Sequence, residues 1–280
     1  MHSRAMSSDI NRIVVAKAVV VSVVVSTVLC ISTASYAQDK PFEPQVGQPG
    51  KDVVWVPTPP ELVSKMMELA KVTPQDYVMD LGSGDGRNII AAAKIGATAV
   101  GVEYNPDMVA LSKRNAAAAG VGDKAQFVEG DMYVADISKA SVMALFLLPS
   151  NMLQLRDKFF NLRPGSRIVS NTFGIEGWTP DEQVTVGGDC NAWCNALLWI
   201  VPAKVDGAWR LPQGTLTLKQ DFQMVSGTLG TAPIINGRLR GEMLTFQAGG
   251  AEYSGRVVGN RIEGTMKSGA TQNAWAATRN

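Results

Sequence analysis

The stretch Val78-Met-Asp-Leu-Gly-Ser-Gly-Asp-Gly-Arg87 constrains the fold of this chain more than any other. An apolar strand there ends in a carboxylate, Asp80, and runs into three glycines, Gly82, Gly84 and Gly86. The helix signals of Asn88-Ile-Ile-Ala-Ala-Ala-Lys94 follow at once. A strand, a glycine turn and a helix N-terminus form a platform on which backbone N–H groups approach a nucleotide-like ligand with no side chain in the way. Glycine spacing then selects the ligand. A dinucleotide fingerprint, G-x-G-x-x-G, would need its third glycine where Arg87 stands, and Gly86 falls one residue early. A second apolar strand, Ala99-Val-Gly-Val-Glu103, ends in an acid roughly 20 residues downstream, the separation at which a carboxylate reaches ribose hydroxyls in such folds.

Asp80 followed by Gly82, Gly84 and Gly86 resembles the first motif of the class I S-adenosylmethionine (SAM) methyltransferases. The pattern around it agrees. Thr58-Pro-Pro-Glu61 predicts a helix start, with Thr58 as cap, Pro59 at the first helical position and Glu61 completing a capping box. Leu62, Met66, Leu69 and Ala70 would form its buried stripe. Helices are predicted over 88–95, 106–119 and 153–162, alternating with strands over 98–103, 125–129, 141–148 and 167–173. Such alternation implies an α/β fold, a mainly parallel Rossmann-like sheet with helices on both faces and ligands at the strands' carboxyl ends. Segments 183–186 and 196–203 would supply an antiparallel closing pair.

Beyond Gly207 the helical period disappears. Asn236-Gly237, Gly249-Gly250 and Gly259-Asn260 are hairpin dipeptides between alternating strands. Residues 207–280 therefore read as a small antiparallel all-β C-terminal domain of six to eight strands, a half-barrel or sandwich. Trp209, Phe222, Phe246, Tyr253 and Trp275 are assigned to its core, because small β domains need their aromatics for burial. The methyltransferase domain spans 53–206, and the polar, proline-bearing stretch 38–52 reads as a linker or extended arm.

Residues 1–37 differ in kind. Arg4, Arg12 and Lys17 precede an apolar run from Ala18 to Ile31, and Ser35-Tyr-Ala37 offers the small residues that a signal peptidase reads. Two outcomes stay open: export to the periplasm or exterior after cleavage, or an uncleaved N-terminal helix as membrane anchor. Membrane or envelope association through this segment or the β domain is an expectation of the same reading. The leader holds the only histidine, His2, and one of the three cysteines, Cys30. Cys190 and Cys194 remain, and in an oxidising compartment a local disulfide is the expected use of that pair. Two cysteines without a nearby histidine make a poor zinc site, so no metal is expected. The leader also takes three of the 26 Lys/Arg and one of the 25 Asp/Glu, leaving a nearly neutral chain. Without a basic stripe, nucleic acid is not an expected partner.

The resemblance narrows with further motifs. Val56-Pro-Thr-Pro59, Asp131-Met-Tyr-Val-Ala-Asp-Ile-Ser138, Leu145-Phe-Leu-Leu-Pro149 and Leu162-Arg-Pro-Gly-Ser-Arg-Ile-Val-Ser170 look like the ATP synthase c-subunit lysine methyltransferase family and its bacterial relatives, over roughly residues 53–180. That resemblance implies SAM-dependent N-methylation of a protein lysine. It implies that Asp80 holds the amino end of the methionine moiety while Gly82, Ser83, Gly84, Asp85 and Gly86 form the cradle. Glu103 would accept from the ribose hydroxyls, and Tyr104, Asp131 and Met132 would surround the adenine. Arg87 would contact the cofactor carboxylate or stabilise the loop. Acceptor-side candidates are Thr58, Pro149, Asn151, Asn171, Phe173 and Trp178, with no general base nominated. Two departures stand out: Asn171 replaces a histidine expected in many bacterial relatives, and the β-rich tail lies outside the shared unit.

Chemistry narrows the choice of acceptor. An oxygen methyltransferase with a histidine base cannot be built once His2 leaves with the leader, and the amino-directed DNA signature Asn/Asp-Pro-Pro-aromatic is absent where Leu147-Leu-Pro-Ser-Asn151 stands. A small-molecule N- or O-methyltransferase, and a non-catalytic exported binding module on the same fold, remain as alternatives.

Overall fold

The computed structural model describes residues 42–188, 190, 192–212 and 214–279. The leader of residues 1–37 and the first residues of the 38–52 segment lie outside them. Among the described residues, the first sheet contains β1 (Tyr77–Leu81), β2 (Thr98–Glu103), β3 (Ala125–Glu129), β4 (Val142–Leu145), β5 (Arg167–Asn171), β6 (Glu182–Thr185) and β7 (Asn195–Ile200). Their spatial order is β3-β2-β1-β4-β5-β7-β6, with β1 to β5 parallel and β7 antiparallel between β5 and β6.

Both faces of this sheet are covered, which is why its central strands carry near-continuous apolar runs. On one face, Leu62 and Met66 of α1 (Pro60–Leu69), Ile89 and Ala92 of α2 (Arg87–Ile95) and Val109 and Ala116 of α3 (Pro106–Ala118) pack on Val78, Ala99, Val142 and Val169. On the other, Met152, Leu155 and Phe159 of α4 (Pro149–Phe160) pack on Met79, Leu81, Met143 and Ile168. The strand alternation therefore sends neighbouring residues of β1 into two different cores.

Two helix starts differ from the sequence expectation. Helix α1 begins one residue late, with Pro59 at its cap position and no side-chain cap bond. Thr58 is not the cap because its hydroxyl accepts instead from Asn171 Nδ2 at 3.3 Å. Helix α4 begins at Pro149, four residues early, since proline fits a first helical turn that has no partner for its missing N–H.

Residues 207–279 form a second, antiparallel sheet of β8 (Gly207–Leu211), β9 (Gly214–Asp221), β10 (Met224–Leu229), β11 (Ala232–Pro233), β12 (Ile235–Arg240), β13 (Met243–Ala248), β14 (Ala251–Val258), β15 (Arg261–Ser268) and β16 (Thr271–Thr278). Nine strands exceed the expected six to eight, and the sheet closes. β16 pairs with β8, and β9 pairs with β10 along its length, so a barrel replaces the half-barrel or sandwich. Inward positions alternate along β13 and β14, and their Phe246 and Tyr253 stack at 4.7 Å with Trp275 edge-on to both.

The barrel is packed on the first sheet through specific contacts. Phe222, in the β9–β10 turn, leaves the barrel core and stacks on Trp178 at 4.9 Å and against Phe160 at 5.0 Å. This corrects one expectation, since Phe222 is not a barrel-core residue, and it places the acceptor-side candidate Trp178 buried in the joint. Arg238 meets the fully buried carboxylate of Asp181 at 2.7 Å, Arg240 pairs with Glu182, and Gln223 Nε2 donates to Thr179 O at 2.6 Å. Lys204, lowered to about 8 by burial, donates to Phe160 O at 2.8 Å.

Candidate active site

The carboxyl ends of β1, β2 and β4 converge on the glycine loop. Gly82 and Ser83 N–H groups both donate to Val102 O, at 2.8 and 3.1 Å, fastening the loop to the end of β2. Gly86 sits at φ +84° as the residue before α2, and an added Cβ would come 2.6 Å from Phe127 Cζ. Gly84, at φ +55°, would place a Cβ 2.9 Å from Trp55 Nε1. These positions need glycine for both conformation and space.

Asp80 is 3% exposed at the end of β1. Its Oδ2 accepts from Asn88 Nδ2 at 3.0 Å, while Oδ1 is buried with no partner among the described residues. Burial pushes the carboxyl well above its ordinary range, and the nearby Glu103 and Asp85 charges push the same way. An unpartnered buried carboxylate oxygen is costly until a donor arrives. Glu103 turns toward the loop: Oε2 accepts from Gly84 N and Oε1 from Asn105 N, each at 3.0 Å. Asp85 is committed to Arg87, whose Nε and Nη2 reach its two oxygens at 2.9 and 2.5 Å, and Arg87 Nη1 donates to Thr58 O at 2.6 Å. This pair braces the loop against the entrance to α1. Ser83 is buried with its hydroxyl unpartnered.

The segment read as a linker is partly site wall. Residues 47–55 turn back on themselves through Gly47 N to Trp55 O and Trp55 N to Gln48 O, both 2.9 Å. They lie across the cleft. Beneath them is an open cleft, about 650 Å³ of empty space counting the part open to solvent, lined by Asp80, Gly82, Gly84, Trp55, Thr58 and Phe146 among others. A second, about 360 Å³ counted the same way, is lined by Lys51, Tyr104, Asp131 and Met132. Gly50, Val53, Gly82 and Glu103 border both, so Glu103 stands where the chambers meet. In the second, Lys51 Nζ lies 2.6 Å from Asp131 Oδ2 and 4.6 Å from the centre of the Tyr104 ring. The Lys51 bond and the Tyr133 N–H hold the Asp131 carboxyl below its usual range.

The acceptor candidates separate. Thr58 lines the larger chamber, and the buried Asn171, bonded to it, keeps its Oδ1 unpartnered. Phe173 stacks at 6.1 Å on Phe146, which lines the chamber. Pro149, Asn151 and Trp178 border neither chamber. Pro149 opens α4, Asn151 donates to Tyr133 Oη at 2.7 Å, and Trp178 lies under the barrel. Those three stand apart from the two chambers. Sequence reading passed over Lys51, Trp55, Asn88 and Phe146. The apolar run Val53-Val-Trp-Val56 directly after the supposed linker, and an amide on the first turn of the helix facing Asp80, were the available signals.

A two-chambered cleft with a buried oxygen seeking a donor, a carboxylate at the junction and an aromatic ring beside an acid fits an amino acid joined through ribose to a purine. Comparison with known proteins agrees. The ANTKMT methyltransferase domain matches residues 80–182. A protein-lysine N-methyltransferase of Saccharolobus islandicus is 44% identical over 137 residues, covering 48% of this chain and 85% of that protein. The ATP synthase c-subunit lysine N-methyltransferase of Rattus norvegicus is 40% identical over 113 residues, or 40% of this chain and 52% of that one. The crystal structure of an RNA methyltransferase from Salinibacter ruber with bound S-adenosyl-L-homocysteine is 43% identical, with a TM-score of 0.50, and covers 54% of this chain and 96% of that one. The cofactor is therefore SAM, and the chain belongs to the class I SAM-dependent methyltransferases, in the family of the c-subunit lysine methyltransferases and their prokaryotic relatives.

Proposed function

We propose that the chain methylates the ε-amine of a lysine in a protein acceptor. The observation that carries the reading is the larger chamber, which Asp80, with one oxygen unpartnered, lines together with Phe146 and Thr58. The 44% identity to an archaeal protein-lysine N-methyltransferase supports the same acceptor. A nearly neutral described region argues against RNA, although the Salinibacter ruber relative is named for it.

Asp80, oriented by Asn88, would take the amino end of SAM, and the loop from Gly82 to Gly86 would admit its methionine backbone. Glu103 would accept from the ribose hydroxyls with the lone pairs its two backbone bonds leave free. Tyr104, Asp131 and Met132 would hold the purine. The cofactor supplies a methyl group already activated on a sulfonium, so the protein needs no covalent nucleophile. Its contribution is placement, which supplies about 7–11 kcal/mol in well-oriented reactions. The acceptor amine must shed a proton to solvent before it attacks, a cost of about 4–5 kcal/mol at neutral pH. The apolar Trp55 and Phe146 lower that cost by desolvating the ammonium. Asn171 Oδ1, still short of a donor, would orient the amine.

Incubation with isotopically labelled SAM and a membrane protein extract, followed by mass analysis, tests this. Label on a lysine side chain is the expected result, and label only on RNA or on a metabolite overturns it. For location, we propose export directed by residues 1–37, supported by the Cys190–Cys194 disulfide, which suits an oxidising compartment. Recovery of the chain from the cytosolic fraction with residues 1–37 attached and both thiols free would exclude it.

A further inference from the structure

Three aromatic side chains that are remote in sequence meet beside the larger chamber, which one of them, Phe146, lines. Phe146 follows directly on β4 and lines the chamber with Asp80. Phe173 lies 6.1 Å from it, and Trp193 lies 6.0 Å from Phe146 and 5.1 Å from Phe173, centre to centre. Trp193 is 40% exposed, so it fills no core. We propose that Phe146, Phe173 and Trp193 form the wall that receives the acceptor's cationic side chain, and that the Cys190–Cys194 disulfide positions Trp193 on it. This deepens the lysine reading and rests on it.

The backbone is arranged to deliver these rings. Thr172, at φ +58°, and Trp193, at φ +59°, are both non-glycine residues in the left-handed region. Such conformations are disfavoured and persist where surrounding structure enforces them, often at ligand sites. Here the enforcement is visible. Phe173 N donates to Asn171 O at 2.6 Å, and Ser170 Oγ donates to Phe173 O at 2.7 Å, closing a tight turn at the end of β5. Thr172 N donates to Asn195 O at 2.7 Å, tying that turn to the residue two positions after Trp193. Cys194, the immediate neighbour of Trp193, is bonded to Cys190. A local disulfide four residues long does little for a sheet whose core already holds two buried tryptophans, Trp178 and Trp199. It does fix the direction of the tryptophan beside it.

The rings pack against one another, too close for a cation to sit between them, so they present their outer faces as a wall. Such a surface suits a four-carbon stem capped by an ammonium: the methylenes cover apolar area, and the cation is drawn to an aromatic face. The occupant is thus a lysine side chain, continuous with the chamber through Phe146.

The test uses the full chain with choline and its uncharged isostere 3,3-dimethylbutan-1-ol, read by the Trp193 indole NMR resonance, which Trp193→Phe identifies by its loss. Choline is expected to shift that resonance and to bind about five-fold tighter than the alcohol, the scale of a cation over an exposed ring. Trp193→Leu and Phe173→Leu should each remove that preference, Trp193→Phe should retain it on the Phe173 ring resonances, and SAM affinity by calorimetry should hold throughout. Cys190→Ser with Cys194→Ser should weaken choline binding without touching SAM. Equal binding of the two probes, or an unmoved Trp193, overturns the wall. Full choline binding by the double serine variant overturns the role of the disulfide. These results are independent of turnover, so a failure to find labelled lysine sinks the acceptor reading without being mistaken for a failure of the wall.

Discussion

Lys51 bridges two chemistries of the second chamber, lying 2.6 Å from the Asp131 carboxylate and 4.6 Å over the Tyr104 ring. The two residues that would surround a purine are thereby joined to the segment that roofs the cleft. Cofactor entry and exit then require this contact to loosen.

Lys51→Ala should accelerate SAM dissociation more than it changes the methylation rate at saturating SAM, measured by stopped-flow displacement. Both partners are exposed enough that added salt should mimic the substitution in the parent protein and leave the variant unchanged. Asp131 is held below 3.8 chiefly by Lys51, and Lys51 is held above 10.5 chiefly by Asp131. The carboxylate's contribution is present above its unfolded value and lost as pH falls through the folded one. The ammonium's contribution is present below its unfolded value and lost as pH rises through the folded one. The roof contact should therefore be insensitive to pH between those limits and fail in acid, followed by protease access to residues 47–55.

Asp80→Asn separates binding from stability. The carboxyl is raised by burial, so the folded apo-protein holds a proton that the unfolded chain has already released, and stability falls as pH rises through that interval. The amide removes this penalty. Thermal melts of the apo-variant at neutral pH should match or exceed those of the parent, while SAM affinity drops by about ten-fold or more, the scale of one charge-assisted bond.

Gly86→Ala should cost about 1–3 kcal/mol of stability in urea, because the new methyl meets Phe127 and Ser112 in a tight contact between loop and helix. A positive φ adds to the cost. SAM titration of the folded fraction distinguishes this packing effect from a lost ligand contact.

Phe222→Ala should destabilise the chain by about 3 kcal/mol, since its ring is wedged between Trp178 and Phe160. Choline and SAM affinities should be unaffected. A parallel loss of SAM binding would mean that the barrel helps to shape the cleft.

What the sequence made legible is local. The strand that ends at Asp80, the glycine turn behind it and the acid closing β2 are written within a few residues of one another, and strand and turn chemistry are short-range. Of the barrel's dipeptides, Gly249-Gly250 and Gly259-Asn260 turn hairpins as expected, whereas Asn236-Gly237 lies within β12, where a bulge rather than a turn uses its glycine. The closure of the barrel was not legible, because the pairing of Thr278 with Arg210 depends on how far eight turns have curved the sheet. Thr58 carried every mark of a helix cap, yet its hydroxyl serves Asn171, 113 residues away. Lys51 looked like part of a solvated arm because its partner Asp131 is 80 residues distant. Trp178 was grouped with the acceptor residues by its nearness to a strand end, but it is buried between Phe160 and Phe222, the latter arriving from the second sheet.

Closure of the barrel also limits how other molecules can engage it. Among the described strands of that sheet, only the two-residue β11 lacks a second neighbour, and β16 meets β8 only where Thr278 pairs with Arg210, so an incoming peptide finds a free ladder of backbone groups chiefly along the rest of β16. Away from that seam, recruitment through this half of the molecule relies on side chains meeting side chains. Its specificity would then be open to reprogramming by surface substitution, with the hydrogen-bonded scaffold left untouched.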